Sequence, residues 1–401
     1  MHNTKQIARD TYYVGSSDRR LSLFENVYPI PRGVSYNSYL VKDEKTVLLD
    51  TADHSVSRQF FENIIHVLDG RKLDYLVVNH MEPDHAYLIE EIVLRYPDIK
   101  IVGNAKTMQM MKQFFSFDVD SHAYIVKEGD TLSSGTHTFT FVMAPMVHWP
   151  EVMVTYDIDE KILYSADAFG TFGALAGNIY ADEVDFDRDW LDDARRYYIN
   201  IVGKYGNMTM NLLKKASSLE IKMICPLHGP IWRENLSYFI EKHKIWASYE
   251  AEKKGAVVIY SSIYGDTENA ASVLASLLAD KGISDIHMYD ASVTDSSYLV
   301  SECFKYSASV FLSPTYNAEI FPKMQQLLID LKEHAWQNRD TAVVESGSWA
   351  LSAGRKISEL LSSMKDIRLV APIASFKSSL KDSDLASLEE IADKIAESIK
   401  A

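Results

Sequence analysis

The chain has 401 residues, enough for two or three domains at roughly 150 residues each, and 47% of them are hydrophobic, an ordinary globular share that excludes a disordered or fibrous polymer. Forty-one Lys and Arg against 56 Asp and Glu leave a net charge of −15, which repels a phosphate backbone; no basic patch offsets it, so nucleic acid is excluded as a partner. The opening MHNTKQIARDTYYVG has neither a signal peptide's apolar core nor an Arg-rich amphipathic pattern, and no later apolar run approaches the roughly 18 residues of a membrane span, so a soluble cytoplasmic chain is expected.

In chain order, the first half mixes short strands with helices. SYLVKDEKTVLLD (38–50), THTFTFVMAP (136–145) and EVMVTYDIDEKILYS (151–165) are strand segments broken by turn signals, while Ser57–Leu68 and Tyr87–Arg95 are helical, which together predict an α/β layered sandwich over residues 1–250. The charged stretch Tyr238–Lys254 reads as a helix that Gly255 stops, placing the domain joint there. From 255 to 401 strand and helix alternate regularly. AVVIYSS (256–262), DIHMYDA (285–291), ASVFLSP (308–314), TAVVESG (341–347) and IRLVAPI (367–373) are continuous apolar runs, the pattern of a parallel sheet covered on both faces. Helices at Thr267–Lys281, Pro322–Gln337, Gly354–Met364 and Leu385–Ile399 complete a small doubly wound domain.

Cys225 and Cys303 are the only cysteines and cannot supply the four thiolates of an iron–sulfur or rubredoxin-type site, so a metal here must be held by His, Asp and Glu. LDYLVVNHMEPDHAYLIEEI (73–92) places His80, Glu82, Asp84 and His85 within six positions between an apolar strand and a helix. Pro83 argues against a regular helix or central strand through the cluster, so the four side chains are expected to radiate from an irregular turn. His148, Asp167 and His228 lie at or after later short strands. Seven donors suit two ions: His80, Glu82 and His148 on one, Asp84, His85 and His228 on the other, with Asp167 shared. The remaining histidines, His2, His54, His66, His122, His137, His243, His287 and His334, lack ligand-like company and are assigned to surface or packing.

The pattern His-x-Glu-x-Asp-His followed by separate His, Asp and His resembles the metallo-β-lactamase-fold module, in the flavodiiron version that carries Glu where zinc hydrolases carry His. Glu82 is that position, and a hard anionic oxygen favours redox-active iron over zinc. In the second half, a doubly wound sheet binds flavin mononucleotide outside the carboxyl ends of its first and third strands. Three loops have that position: Ser262, Ile263, Tyr264, Gly265, Asp266 and Thr267; Ser313, Pro314, Thr315, Tyr316 and Asn317; and Ser346, Gly347, Ser348 and Trp349 with Gly354 beyond. Hydroxyls, amides and a helix N-terminus suit the phosphate, and Tyr316 and Trp349 could flank the ring.

The order of the two modules resembles the flavodiiron proteins along essentially the whole chain. The resemblance implies an N-terminal αββα sandwich, a C-terminal flavodoxin-like domain, FMN and two non-haem iron ions. It implies a rubredoxin-like donor, reduction of dioxygen to water or nitric oxide to nitrous oxide, with dioxygen the first expectation, and a head-to-tail homodimer or a dimer of dimers. The chain departs from common family wording at Ala86-Tyr87, at Thr171-Phe172-Gly173 and at Leu227, all near the ligands, while Met81, Met146 and Trp149 read as packing. The rivals are a binuclear zinc hydrolase of the same fold and an FMN electron carrier with a structural metal.

Overall fold

The computed structural model describes residues 1–401, which divide into two compact units, Met1–Lys244 and Ile245–Ala401. Unit 1 holds two large sheets. One runs Lys5–Ala8, Thr11–Tyr13, Tyr39–Lys42, Thr46–Leu49, Tyr75–Val77, Lys100–Gly103 and Ala123–Ile125 in spatial order; the other runs Thr131–Ser133, Thr138–Met143, Met153–Asp157, Ile162–Tyr164 and Met223–Cys225. The segment 38–50 is a tight antiparallel pair whose register puts Tyr39 opposite Leu49 and Lys42 opposite Thr46. The helix Ser57–Leu68 turns Phe60, Phe61, Ile64, Val67 and Leu68 inward, a spacing that follows the 3.6-residue period.

The two sheets are tied at their ends by polar contacts. Asn37 donates its amide to Pro226 O at 2.9 Å and Gly229 O at 2.8 Å, and the Tyr39 hydroxyl donates to Pro226 O at 2.7 Å. From the other direction, Thr155 Oγ1 donates to Asn79 Oδ1 at 2.7 Å. These groups are buried, so each bond offsets a desolvation penalty that an unpaired group would leave.

Unit 2 is a parallel sheet in the order Ile286–Asp290, Lys253–Tyr260, Tyr306–Tyr316, Arg339–Gly347, Ile367–Leu369, the 2-1-3-4-5 order of a doubly wound fold. Its closing helix, Leu385–Lys400, buries Leu388, Ile391, Ala392, Ile395, Ala396 and Ile399, a continuous helical stripe against Val258, Val310 and Val344. Each fully buried Leu or Ile contributes about 1.5–3 kcal/mol. No helix is long and apolar enough to cross a membrane.

Three local expectations are corrected. The helix expected over Tyr238–Lys254 spans Leu236–Ala247, and the strand already begins at Lys253, so Gly255 lies inside the strand rather than at a helix stop. The fifth strand is split: Ile367–Leu369 pairs beside Arg339–Thr341, the chain then steps away, and Ala374–Lys377 pairs beside Val344–Gly347. A further helix, Ser296–Lys305, capped by the Asp295 carboxylate on Ser297 N, lies between the second and third strands.

Candidate functional sites: a seven-donor cluster and a strand-end pocket

The donors of unit 1 are delivered by strand ends. Past Tyr75–Val77, the buried Asp50 receives Asn79 N at 2.7 Å, Asn79 Nδ2 at 2.7 Å and His80 N at 3.3 Å, which fixes the turn carrying His80. Pro83 does not keep the following residues irregular. Pro83–Ala86 is one helical turn with proline at its first position, where its missing N–H is an orphan in any case. Asp84 and His85 therefore sit on a helical turn, while His80 and Glu82 precede it. Asp167 follows Ala166, whose φ of +51° is strained for a residue with a side chain, and Met146, two residues before His148, has φ +66°. After His228, Gly229 takes φ +78°, and a Cβ there would lie 2.0 Å from Thr171 Cγ2, so only glycine fits.

The donor atoms fall into two groups, His80, Glu82, His148 and Asp167 in one, Asp84, His85 and His228 in the other. In the first, Glu82 Oε2 lies 3.2 Å from His80 Nε2 and 3.0 Å from His148 Nε2. In the second, Asp84 Oδ2 lies 3.3 Å from both His85 Nε2 and His228 Nε2. Asp167 stands between them: Oδ2 is 3.1 Å from His80 Nε2 and 3.2 Å from His148 Nε2, while Oδ1 is 3.4 Å from His85 Nε2 and 3.6 Å from His228 Nε2.

Two imidazoles have their outward nitrogens engaged. His80 Nδ1 meets Glu151 Oε1 at 2.8 Å and His228 Nδ1 meets Ser35 O at 2.7 Å. With Nδ1–H donating to these acceptors, the Nε2 atoms of both rings face inward, and each becomes a lone-pair donor once a cation displaces its proton. Burial works against charge throughout, yet mutual attraction prevails. His80 is held well above the usual imidazole range by Asp167, Glu151 and Glu82, and His148 is raised to about 9 by Asp167 and Glu82. Glu82 and Asp167 are held well below the carboxylate range by the imidazoles.

A cation fits this arrangement. Both Asp84 oxygens and Asp167 Oδ1 are buried without a hydrogen-bond partner, although Asp84 Oδ2 and Asp167 Oδ1 each face two imidazole nitrogens. Buried carboxylate oxygens left in that state are expensive unless they coordinate a metal. Four imidazoles and three carboxylates, with no thiolate, are the donor set of redox-active iron rather than of structural zinc.

Three further groups at the cluster carry no sequence signal of their own. Glu151, three residues after His148, has a wholly buried side chain and accepts His80 Nδ1 and Met81 N. Tyr197, on the helix Leu191–Tyr197, brings its ring to 5.4 Å from that of His228, and its buried hydroxyl lacks a hydrogen-bond partner. Burial first, then the Asp167, Asp84 and Glu82 charges, push this phenol well above its usual range, so it keeps its proton. Burial first, then the neighbouring Glu82 carboxylate, push the Glu25 carboxyl, in the turn between Leu23–Phe24 and Tyr28–Pro29, up to about 8.

In unit 2, a cavity of about 280 Å³ opens at the ends of the first, third and fourth strands. It is lined by Ser262, Ile263, Tyr264, Asp266 and Thr267, by Pro314, Thr315, Tyr316 and Asn317, and by Ser346, Gly347, Ser348 and Trp349. Gly265, Ser313 and Gly354 are not in the lining. Gly354 N instead donates to the buried Glu345 at 2.8 Å, and Ser313 Oγ accepts Phe321 N. Ser378, just past the split fifth strand, joins the lining without having been expected. Tyr264 and Trp349 are 93% and 77% exposed, leaving open aromatic faces at the rim. Gly265, at φ +96°, is the N-cap of the helix Asp266–Asp280, whose first residues Asp266 and Thr267 line the cavity. Alanine there meets no neighbour, only an unfavourable backbone conformation. Gly265→Ala is expected to lower the stability of this unit by about 1 kcal/mol of backbone strain, read by urea denaturation.

A family described as "ODP family beta lactamase" matches residues 34–229. The chain is similar to a nitric oxide reductase of Moorella thermoacetica, at 32% identity over 96% of each protein. Among solved structures, it is similar to the rubredoxin oxygen:oxidoreductase of Desulfovibrio gigas, with 30% identity, a TM-score of 0.91, and 99% of this chain and 98% of that one covered. It is also similar to a single-residue variant of the flavo di-iron protein of Thermotoga maritima, with 28% identity, a TM-score of 0.90 and coverage of 99% and 98%. The fold is thus a metallo-β-lactamase-like sandwich followed by a flavodoxin-like sheet.

Proposed function

The chain belongs to the flavodiiron protein family of oxidoreductases, and from that premise we propose that it reduces dioxygen to water, nitric oxide to nitrous oxide, or both, with electrons arriving from a rubredoxin-type donor. The observation that carries this reading is the double donor cluster with Asp167 between its halves and a carboxylate, Glu82, at a position where an imidazole would suit zinc. Two iron ions and FMN, when bound, together supply enough electrons to reduce one dioxygen completely.

The residues of the chain divide the remaining work. His80, Glu82 and His148 would hold one ion, Asp84, His85 and His228 the other, with Asp167 linking the two. Ser262, Thr267 and the helix N-terminus at Asp266 would hold the flavin phosphate, and Tyr264, Tyr316 and Trp349 offer faces to its ring. Tyr197 holds a proton on a buried hydroxyl beside Asp167, placed to protect a reduced oxygen atom from accumulating charge. Tyr197→Phe is expected to slow gas reduction about 10-fold, through loss of one hydrogen-bond donor worth about 1.4 kcal/mol, with iron content and flavin spectrum unchanged. The metal donors and the flavin pocket lie in different units of the chain. Electron transfer between them is best served by a head-to-tail homodimer, alone or paired, in which the flavin of one chain serves the irons of its partner.

The test is gas consumption at electrodes by anaerobically prepared protein with iron and flavin verified, a rubredoxin-type donor, and dioxygen and nitric oxide supplied separately. Loss of either gas supports the proposal and the faster one names the substrate. Loss of neither returns a metal-dependent hydrolase to first place.

A further inference from the structure

The two halves of the donor cluster differ in what stands behind them. On the first side, His80 Nδ1 meets an anion: Glu151 Oε1 at 2.8 Å, on a side chain with no solvent exposure. On the second, His228 Nδ1 meets the neutral Ser35 carbonyl at 2.7 Å, and His85 Nδ1 is buried with no hydrogen-bond partner. Glu25 also approaches from the first side, at Glu82, and Asp50 meets His80 only through its backbone N–H. Glu151 is thus the one carboxylate recorded on an outward ring nitrogen of the cluster.

A carboxylate that accepts an imidazole N–H pulls that proton toward itself and raises electron density on the opposite nitrogen, making it a stronger donor to a metal. A fixed negative charge in a water-poor interior also stabilises the more positive of two oxidation states, and the effect falls with distance. The ligands themselves do not create this bias, since each half has two imidazoles and one carboxylate of its own, with Asp167 common to both. We propose that Glu151 is a positioning residue that makes the ion held by His80, Glu82 and His148 the ferric one whenever the pair contains a single ferric ion. This rests on the flavodiiron reading. It sets an order: on reduction, the ion at Asp84, His85 and His228 takes its electron first, and the ion beside Glu151 takes its electron last.

Glutamine at 151 keeps an oxygen for His80 Nδ1–H and Met81 N–H and removes the charge. The experiment is a potentiometric titration of the full-length, iron-loaded protein with dithionite and ferricyanide through mediators, following the electron paramagnetic resonance signal of the ferric–ferrous pair. In the wild type that signal spans a window between two one-electron steps. Glu151→Gln is expected to raise the lower step, narrowing the window from its low-potential side, at an unchanged two irons per chain. Glu151→Asp, which keeps the charge one methylene further back, is expected to fall between wild type and Gln, and carries the test if the Gln protein does not load iron. Full iron with an unchanged window, or both steps moving equally, overturns the assignment alone. A wild-type chain that binds no iron overturns the flavodiiron reading and this assignment with it.

Discussion

Asp167→Asn is expected to abolish gas reduction and to leave less than a full complement of iron, while the flavin spectrum stays that of the wild type. Asp167 is the one donor whose two oxygens face different halves of the cluster, within 3.1 to 3.6 Å of four imidazole nitrogens. Asparagine keeps the size and one oxygen but brings an NH₂ group to one side, where it aims donors at whatever cation lies there, and it removes the charge that offsets two dipositive ions. Loss of a group that only supports a metal ligand typically costs about 10–100-fold, so loss of a ligand common to both ions exceeds that range. Iron per chain and flavin absorbance, measured beside the gas electrode, check the claim: full iron and full activity in this variant would remove Asp167 from the ligand set. The flavin serves as the internal control, since its pocket belongs to the other unit.

A second large effect is expected in acid. His243, on the helix Leu236–Ala247, is buried against Phe169, Phe239 and Tyr198, and burial pushes its pKa down to about 4, a shift that the Phe239 carbonyl at 3.0 Å only partly opposes. The unfolded chain has an ordinary imidazole near 6.5. Above that pH both states are neutral and the group is silent. As pH falls from about 6.5 to about 4, the unfolded state takes a proton that the folded state refuses, so stability drops by about 1.4 kcal/mol per pH unit, about 3 kcal/mol across the window. His243→Leu removes the titration. Urea denaturation at about pH 5 and about pH 7.5 is expected to show a smaller difference between the two conditions for the variant than for the wild type. Equal differences in the two proteins would mean that His243 is not held neutral.

The sequence carried the architecture because both modules announce themselves by period. Continuous apolar runs such as AVVIY (256–260) suit a sheet covered on both faces, and the donors His80 to His85 crowd into six consecutive residues. Errors arose where a residue's meaning depends on its place in an element. Pro83 breaks a helix in its interior but suits its first position, and nothing local says which applies. Gly255 resembles a helix stop, yet the helix ends at Ala247 and Gly255 is the third residue of the strand that follows. Ser378 reaches the strand-end cavity past the interrupted fifth strand, and Glu151 and Tyr197 reach the donor cluster from a strand entry and a helix that lie far from residues 80–85 in the sequence. Such groups are visible only once distant strands have been brought together.

The ties from Asn37 and Tyr39 to the loop bearing His228 have a consequence for how the protein is made. The inward posture of the His228 ring depends on Ser35, near the amino terminus, and on a loop that begins after Cys225. A chain still missing that loop has six of the seven donors and lacks only His228, so the half built on Asp84 and His85 is left one imidazole short. The two halves are therefore completed at different points of synthesis: the one at His80, Glu82 and His148 once Asp167 is made, the other only with His228, near the end of the first unit.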